Sequence, residues 1–239
     1  MKYIDLTLPS PAANLACDEA LLDHCEAGLE DELLRFWEPQ EPFVVVGYAN
    51  QASREVDLEA CQANKIGVFR RCTGGGTVVQ GPGILNYSLI LRIPESGPLQ
   101  SITGTNTHIL QRHQSALAPL LKVPVHIQGH TDLAVQNLKF SGNAQRRKRK
   151  FLIFHGTFLL KADIPLIEKL LRMPSKQPDY RQNRTHRQFL MNLEMAPELL
   201  KSALRQAWQA HELFPDLPVE KIHGLAQQKY STTEWNLKF

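Results

Sequence analysis

Three consecutive glycines, Gly74-Gly75-Gly76, stand between Arg70-Arg71-Cys72-Thr73 and Thr77-Val78-Val79. A run of this kind resists regular helix or strand, because each glycine loses more backbone freedom on folding than any other residue. Two readings fit. The segment is a flexible hairpin turn, or it is a stretch of backbone without Cβ atoms that approaches a ligand closely and turns N–H groups toward an anion. The two adjacent guanidiniums favour the anion site, since arginine pairs with phosphate and carboxylate through parallel hydrogen bonds. The segment is neither GxxxxGKS/T nor GxGxxG, so it carries neither the P-loop nor the Rossmann motif.

Around the glycines the pattern alternates between strand and helix. Leu15, Ala16, Ala20, Leu21 and Leu22 recur at helical spacing, which predicts an amphipathic helix over Asn14 to Cys25 with Asn14 as its cap. Phe43 to Val46, Gly67 to Arg71 and Leu85 to Ile93 read as strands, and Val56 to Asn64 and Asn106 to Leu121 as helices. Leu133 to Leu160 has hairpin character around Arg146 to Lys150, followed by a helical run after Asp163, a polar loop from Pro174 to Arg187 and a helix over Ala196 to Leu213. This predicts a single α+β domain over residues 1–239, a mixed sheet or sheets flanked by helices.

Composition narrows the class. Hydrophobic residues at 43% and charged residues at 21% of 239 exclude wholesale disorder. No apolar run approaches the ~20 residues that a membrane helix needs. Asp5 falls where a secretory signal would have its apolar core, so a cytoplasmic protein is expected. The four cysteines, Cys17, Cys25, Cys61 and Cys72, have no CxxC spacing and are expected as reduced thiols. No cluster suggests a structural metal. A net charge of +3 is too mild for a dedicated nucleic-acid binder. The run Arg146-Arg147-Lys148-Arg149-Lys150 lacks interleaved aromatics and reads as a solvated hairpin tip, or as a docking patch for an acidic protein domain.

A second chemical feature is Lys139, followed by the small residues Ser141, Gly142 and Ala144, with His155-Gly156-Thr157 further on. A lysine among small residues can bring its ammonium to a carbonyl or phosphate oxygen and stabilise charge there. A lone strand lysine is otherwise surface, and a lone histidine structural.

Taken in order, these segments resemble the lipoate-protein ligase and octanoyltransferase family, which shares its catalytic fold with biotin-protein ligases. Asn14 with Asp18-Glu19 is similar to that family's early helix, and Val46-Gly47 through Asn50-Gln51 and Glu55 to its next segment. Arg70-Arg71 with Gly74-Gly75-Gly76 resembles its RRxxGGG signature. Asp132-Leu133 with Lys139 through Ala144, His155-Gly156-Thr157-Phe158-Leu159-Leu160, and Tyr230 with Glu234-Trp235-Asn236 are similar to its later motifs. The match runs colinearly over nearly the whole chain.

The resemblance implies transfer of a lipoyl or octanoyl group onto a lysine of a lipoyl carrier domain, through an acyl-adenylate made from ATP with Mg²⁺. Lys139 would be the catalytic residue, touching phosphate and acyl carbonyl. Arg71 and Gly76, Thr77, Val78 and Val79 would hold the adenylate. Arg70, Gly74, Gly75, Asn86, Asp132, Gly142, Ala144, His155 and Gly156 complete the implied substrate and nucleotide set. An apolar tunnel is expected between the sheet and the first helix. The implied carrier is the E2 subunit of a 2-oxoacid dehydrogenase or the glycine cleavage H protein type.

Three departures qualify that implication. Gln80 stands where many relatives have histidine or another residue after the glycine loop. No cysteine occupies the places where thioester-forming relatives keep a nucleophile, which leaves only Cys72 beside the arginine pair. No accessory C-terminal domain follows the closing motif, so a separate accessory protein is expected to complete the site, or the chain activates its acid alone, or it transfers an acyl group made elsewhere. The alternatives are thus an octanoyl-acyl-carrier-protein-dependent transferase and a non-catalytic lipoate- or adenylate-binding accessory subunit.

Overall fold

The computed structural model describes residues 1–239. Strand β1 (Lys2–Asp5) leads into helix α1 (Pro11–Glu26), then β2 (Leu33–Trp37), β3 (Phe43–Val46), the short helices α2 (Ala52–Glu55) and α3 (Leu58–Ala63), β4 (Val68–Arg70), β5 (Val78–Gln80) and β6 (Ile84–Arg92). There follow α4 (Ile102–Leu121), β7 (His126–Gln128), β8 (Asp132–Val135), β9 (Leu138–Arg147), β10 (Phe151–Leu159), α5 (Ile164–Leu170), α6 (His186–Phe189) and α7 (Pro197–Ala207). The chain ends with β11 (Glu212–Leu213), α8 (Val219–Leu225) and α9 (Thr233–Asn236). Eight strands pair in the order β11-β1-β2-β6-β10-β9-β8-β7, and β4-β3-β5 form a second sheet. Only β1 with its two neighbours and β3 with β4 run parallel, so both sheets are mixed.

The large sheet is buried on both faces, and side-chain parity divides its residues between them. Leu34, Phe36, Leu85, Leu89 and Phe154 pack toward Ile109 and Leu117 of α4 and Leu200 and Leu204 of α7. Leu33, Trp37, Ile90 and Ile153 pack on the other side, against Ala16, Ala20 and Leu21 of α1. The small sheet has its own core, with Val44, Val46 and Val79 against Ile167 and Leu170 of α5. Each such side chain contributes roughly 1.5–3 kcal/mol on burial.

Several elements differ from the sequence reading. Helix α1 is capped by Ser10, whose side chain accepts the Ala13 N–H at 3.2 Å. Asn14 lies inside the helix, where its amide donates to Leu8 O and accepts the Leu8 N–H. The Leu133 to Leu160 stretch holds three strands rather than two, because Gln136 and Asn137 both adopt positive φ (49° and 63°) and make a tight turn between β8 and β9. The helix expected to reach Leu213 stops at Ala207, Gln209 turns left-handed (φ 52°), and Glu212-Leu213 joins the sheet edge beside β1.

One residue in β2 escapes any pattern rule. Arg35 is fully buried in the apolar strand Leu33–Trp37. Its NH1 donates to Asp18 Oδ1 at 2.7 Å and Asn14 O at 2.9 Å, and its NH2 to Asn14 Oδ1 at 2.7 Å. Asn14 and Asp18 are one helical turn apart and so present one polar patch to the strand. Replacing Arg35 with leucine leaves Asp18 as an uncompensated buried charge, which is expected to cost about 3–5 kcal/mol in urea unfolding. A loss under about 1 kcal/mol would show that the remaining partners of Asp18 suffice.

Candidate active site

The two sheets, α1 and the 172–190 segment enclose a cavity of about 460 Å³, in the range of small-molecule sites. Leu15, Trp37, Val45 and Val78 form an apolar wall where α1 meets the sheets, and Ile167, Leu171 and Phe189 form another near α5 and α6. Polar groups converge between them. Of the residues singled out from the sequence, Arg71, Gly75, Gly76, Thr77, Val78, Val79, Asn86, Asp132, Lys139, Gly142, Ala144, His155 and Gly156 all line this cavity.

Arg70 does not. Its NH1 donates to the carbonyls of Gly47, Tyr48 and Asn50 (2.9, 3.1 and 2.7 Å) and its Nε to Trp235 O at 3.1 Å, so it binds the loop after β3 to the closing helix. The backbone N–H of Arg70 donates to Asn236 Oδ1, and Trp235 Nε1 donates back to Arg70 O. Arg71, the residue after β4, turns to the cavity side. Its Nε donates to Thr73 Oγ1 at 2.9 Å, and its NH2 to the carbonyls of Gly74 and Gly76. Asn50 Nδ2 donates to Gly75 O, so all three glycine carbonyls are engaged. The N–H groups of Gly74, Gly75 and Gly76 have no protein acceptor. The loop therefore presents its donors. Gly75 adopts φ +86°, and a Cβ there would come within 2.8 Å of Arg71 NH2, so a side chain would break the wrap. Gly74 supplies a carbonyl without lining the cavity.

Arg71 has no carboxylate partner, and burial lowers its guanidinium to about 10. Its NH1 makes no hydrogen bond yet is not sealed from the cavity. The Thr77 hydroxyl, which is sealed, also lacks a partner. The open Arg71 edge suits an anion.

Behind the loop, His155 Nε2 lies 2.7 Å from Thr73 Oγ1, and His155 Nδ1 lies 2.9 Å from Asp18 Oδ2. Ser88 Oγ also donates to that oxygen. Burial would raise the Asp18 carboxyl, but the His155 hydrogen bond and the Arg35 charge outweigh it and hold it below its ordinary value. Asp18 and Thr73 were not singled out as site residues. The available signal was an adjacent acidic pair, Asp18-Glu19, on an otherwise apolar helix.

Further along the cavity wall, Lys139 Nζ stands 2.8 Å from Asp132 Oδ1, while Tyr180 donates to Asp132 Oδ2 at 2.8 Å. Gly142 sits opposite Asp132 in the β8–β9 ladder. A Cβ on it would lie 2.7 Å from Lys139 Nζ, so the absent side chain is what lets the lysine lie across the strand. Gln80 and Asn86 exchange reciprocal amide hydrogen bonds at 2.8 and 2.9 Å on the cavity wall. His186 also lines the cavity, lowered to about 4 by burial and by Arg181. Nothing in the polar 174–187 stretch identified Tyr180, Arg181 or His186 from sequence.

Two expectations need correction. Cys72 was a possible activated thiol beside the arginine pair, but both guanidiniums turn away onto carbonyls and the thiol is buried near Tyr230, Arg146 and Glu19. Burial and Glu19 push it up. The basic run is also not a free patch. Arg146 pairs with Glu19, Arg147 donates to Thr105 and Leu99 O, and Lys148 pairs with Asp23. Only Arg149 and Lys150 are exposed, and their N–H groups bind Glu26. Replacing all five would report on the attachment of α1 rather than on docking.

Residues 10–211 match the lipoyl protein ligase A/B catalytic domain family. The octanoyltransferase LipM of Geobacillus kaustophilus is 26% identical over 99% of this chain and 98% of its own. A lipoate-protein ligase A bound with ATP superposes with a TM-score of 0.81 at 24% identity, covering 99% of each chain. The bi-partite lipoate protein ligase of Thermoplasma acidophilum, described with its E2 lipoyl domain, gives 0.81 at 24% identity over 99% of this chain and 96% of its own. At that identity the likeness of the solved structures establishes the mixed-sheet fold.

All four cysteines are free and buried, and none lines the cavity. The native protein is therefore expected to react with a thiol-specific chromogenic disulfide only over hours, with four thiols appearing at once in denaturant. One fast-reacting thiol in the native protein, lost in Cys72→Ser, would restore Cys72 as a nucleophile.

Proposed function

The chain belongs to the lipoyl protein ligase A/B catalytic domain family, and from that premise we propose that residues 1–239 act as one catalytic domain. That domain transfers lipoate or octanoate, through an acyl-adenylate, onto a lysine of a lipoyl carrier domain. The observation that carries the reading is the meeting of two cationic groups in one cavity. Lys139, held by Asp132, and the unpaired Arg71 edge with the free glycine N–H groups line the same cavity.

In this reading the acyl chain lies along Leu15, Trp37, Val45 and Val78, and the nucleotide lies toward Phe189 and His186. The adenylate phosphate takes the N–H groups of Gly75 and Gly76 and Arg71 NH1. Lys139 neutralises the phosphate and the developing oxyanion of the acyl carbonyl, where fixed donors in a water-poor site have their largest effect. A mixed anhydride carries its own good leaving group, so what remains is to position the incoming amine. Mg²⁺ would arrive with the ATP phosphates. The partner is a lipoyl domain of the E2 or H protein type, and a separate accessory protein is the component to add if the chain alone makes no adenylate.

Transfer from octanoyl-acyl carrier protein is the second reading, favoured by the likeness to octanoyltransferase LipM. No thiol reaches the cavity to carry the thioester intermediate.

Mass spectrometry of the protein with ATP, Mg²⁺ and lipoate or octanoate is expected to detect acyl-AMP. Lys139→Ala should lower its formation by roughly 10²–10³-fold. Absence of acyl-AMP with the wild type, followed by carrier modification from octanoyl-acyl carrier protein alone, would overturn the adenylate reading in favour of the second. Gly142→Ala is expected to leave the melting temperature nearly unchanged, since only the flexible end of Lys139 must move, while slowing transfer about tenfold or more. Unchanged transfer would remove Lys139 from its assigned position.

A further inference from the structure

We propose that Asp18, His155 and Thr73 form a hydrogen-bond chain of fixed direction that positions the Arg71 guanidinium, so that the affinity of the site for an adenylate depends on the orientation this chain imposes as well as on Arg71 itself. The inference rests on Arg71 as an anion donor and adds three positioning residues to that reading.

The direction follows from counting protons. An arginine only donates and an ionised carboxylate only accepts, so the two ends of the chain are set. Arg71 Nε donates to Thr73 Oγ1 at 2.9 Å. Thr73 is 1% exposed, and the other side-chain atom its hydroxyl meets is His155 Nε2 at 2.7 Å. A buried hydroxyl proton without an acceptor costs about 1–3 kcal/mol, so Thr73 donates to His155. The Nε2 atom must then be unprotonated, and the ring's proton sits on Nδ1, which donates to Asp18 Oδ2 at 2.9 Å.

Asp18 is the terminal acceptor for every neighbour. Ser88 of β6 donates to Oδ2, and Arg35 of β2 donates to Oδ1. The Arg35 charge already balances Asp18, so the pair does not call for an imidazolium. Around the ring, α1 contributes Asp18, the glycine loop Thr73 with Arg71 behind it, β6 Ser88 and β2 Arg35. Every arrow runs from the cavity toward α1, and bonds aligned in this way polarise one another.

For Arg71 the consequence is geometric. With Nε held by Thr73 and NH2 by the carbonyls of Gly74 and Gly76, the planar fork has one edge left, NH1, at the cavity. Without the threonine hydroxyl, Nε keeps only the longer contact to Gly74 O at 3.1 Å, and the guanidinium gains room to rotate.

The first measurement is long-range ¹H–¹⁵N correlation NMR on the imidazole rings of the labelled full chain, with the His155 ring assigned by its loss in His155→Gln. A neutral ring protonated at Nδ1 is expected. A ring protonated at Nε2, alone or in an imidazolium, overturns the chain. The second measurement is binding and turnover of octanoyl-AMP with a lipoyl domain as acceptor. The near-isosteric Thr73→Val is expected to weaken Kd and raise KM about tenfold with kcat within about threefold, because Arg71 binds ground and transition states alike. Thr73→Ser should restore affinity to within about twofold. Unchanged affinity in Thr73→Val, or no rescue by serine at equal melting temperatures, overturns the positioning role. A wild type that binds no octanoyl-AMP overturns the adenylate reading instead, and the ring measurement still decides the chain. If Thr73→Val does not fold, that measurement on the wild type decides alone.

Discussion

The architecture depends on two adjacent carboxylates buried on one helix. Taking Asp18 and Glu19 out of water costs several kcal/mol each, and only well-placed partners offset it. Asp18 collects Arg35 from β2, Ser88 from β6 and His155 from β10. Glu19, on the next residue, collects Arg146 from β9 and Lys229 and Tyr230 from the C-terminal segment. These are different strands, so α1 can sit in one orientation only. Apolar packing of Ala16, Ala20 and Leu21 alone would tolerate rotation and sliding, whereas the charges do not.

That orientation reaches the glycine loop from behind. Thr73 lies against His155, and Arg70 anchors the root of the loop to Trp235 and Asn236. The two neighbouring arginines divide the work, Arg70 closing the structure on the outer side and Arg71 shaping the cavity side. In each case a guanidinium is held by backbone carbonyls rather than carboxylates. For the loop this inverts the usual expectation of a glycine cradle. Its carbonyls are consumed by the protein, and its N–H groups are thereby turned outward without having to be ordered by a ligand.

Much of this was legible in the sequence. Apolar periodicity located α1, β3, β6 and α4, and the glycine run with its arginine pair located the loop, because those signals are local. The β8–β9 turn was missed since neither Gln136 nor Asn137 is glycine, although asparagine tolerates the left-handed region. Arg35 in an apolar strand, and Lys139 with Asp132 across a ladder, have meaning only once the partner strand or helix is in register. Cys72 illustrates the converse. Sequence adjacency to two arginines suggested an activated thiol, yet both guanidiniums bind backbone carbonyls, and the cation that hydrogen-bonds the thiol is Arg146, far along the chain. The residues between Pro174 and Arg187 looked like surface because their composition is polar. They cover the cavity, and a cover over a polar site need not be apolar.

Charge balance bears on which acyl donor suits the cavity. Lys139 is compensated by Asp132, but Arg71 and Arg181, both buried and both lining the cavity, have no ion-pair partner. Burial lowers both guanidiniums, the direction expected of a buried cation without a counter-ion. The thioester group itself is uncharged, whereas an acyl-adenylate carries its phosphate directly beside the acyl carbonyl. An anion at the reacting centre is thus supplied by the adenylate and not by the thioester group. This asymmetry, together with the absence of any thiol on the cavity wall, weighs for the adenylate route in a chain whose similar relatives include an octanoyltransferase.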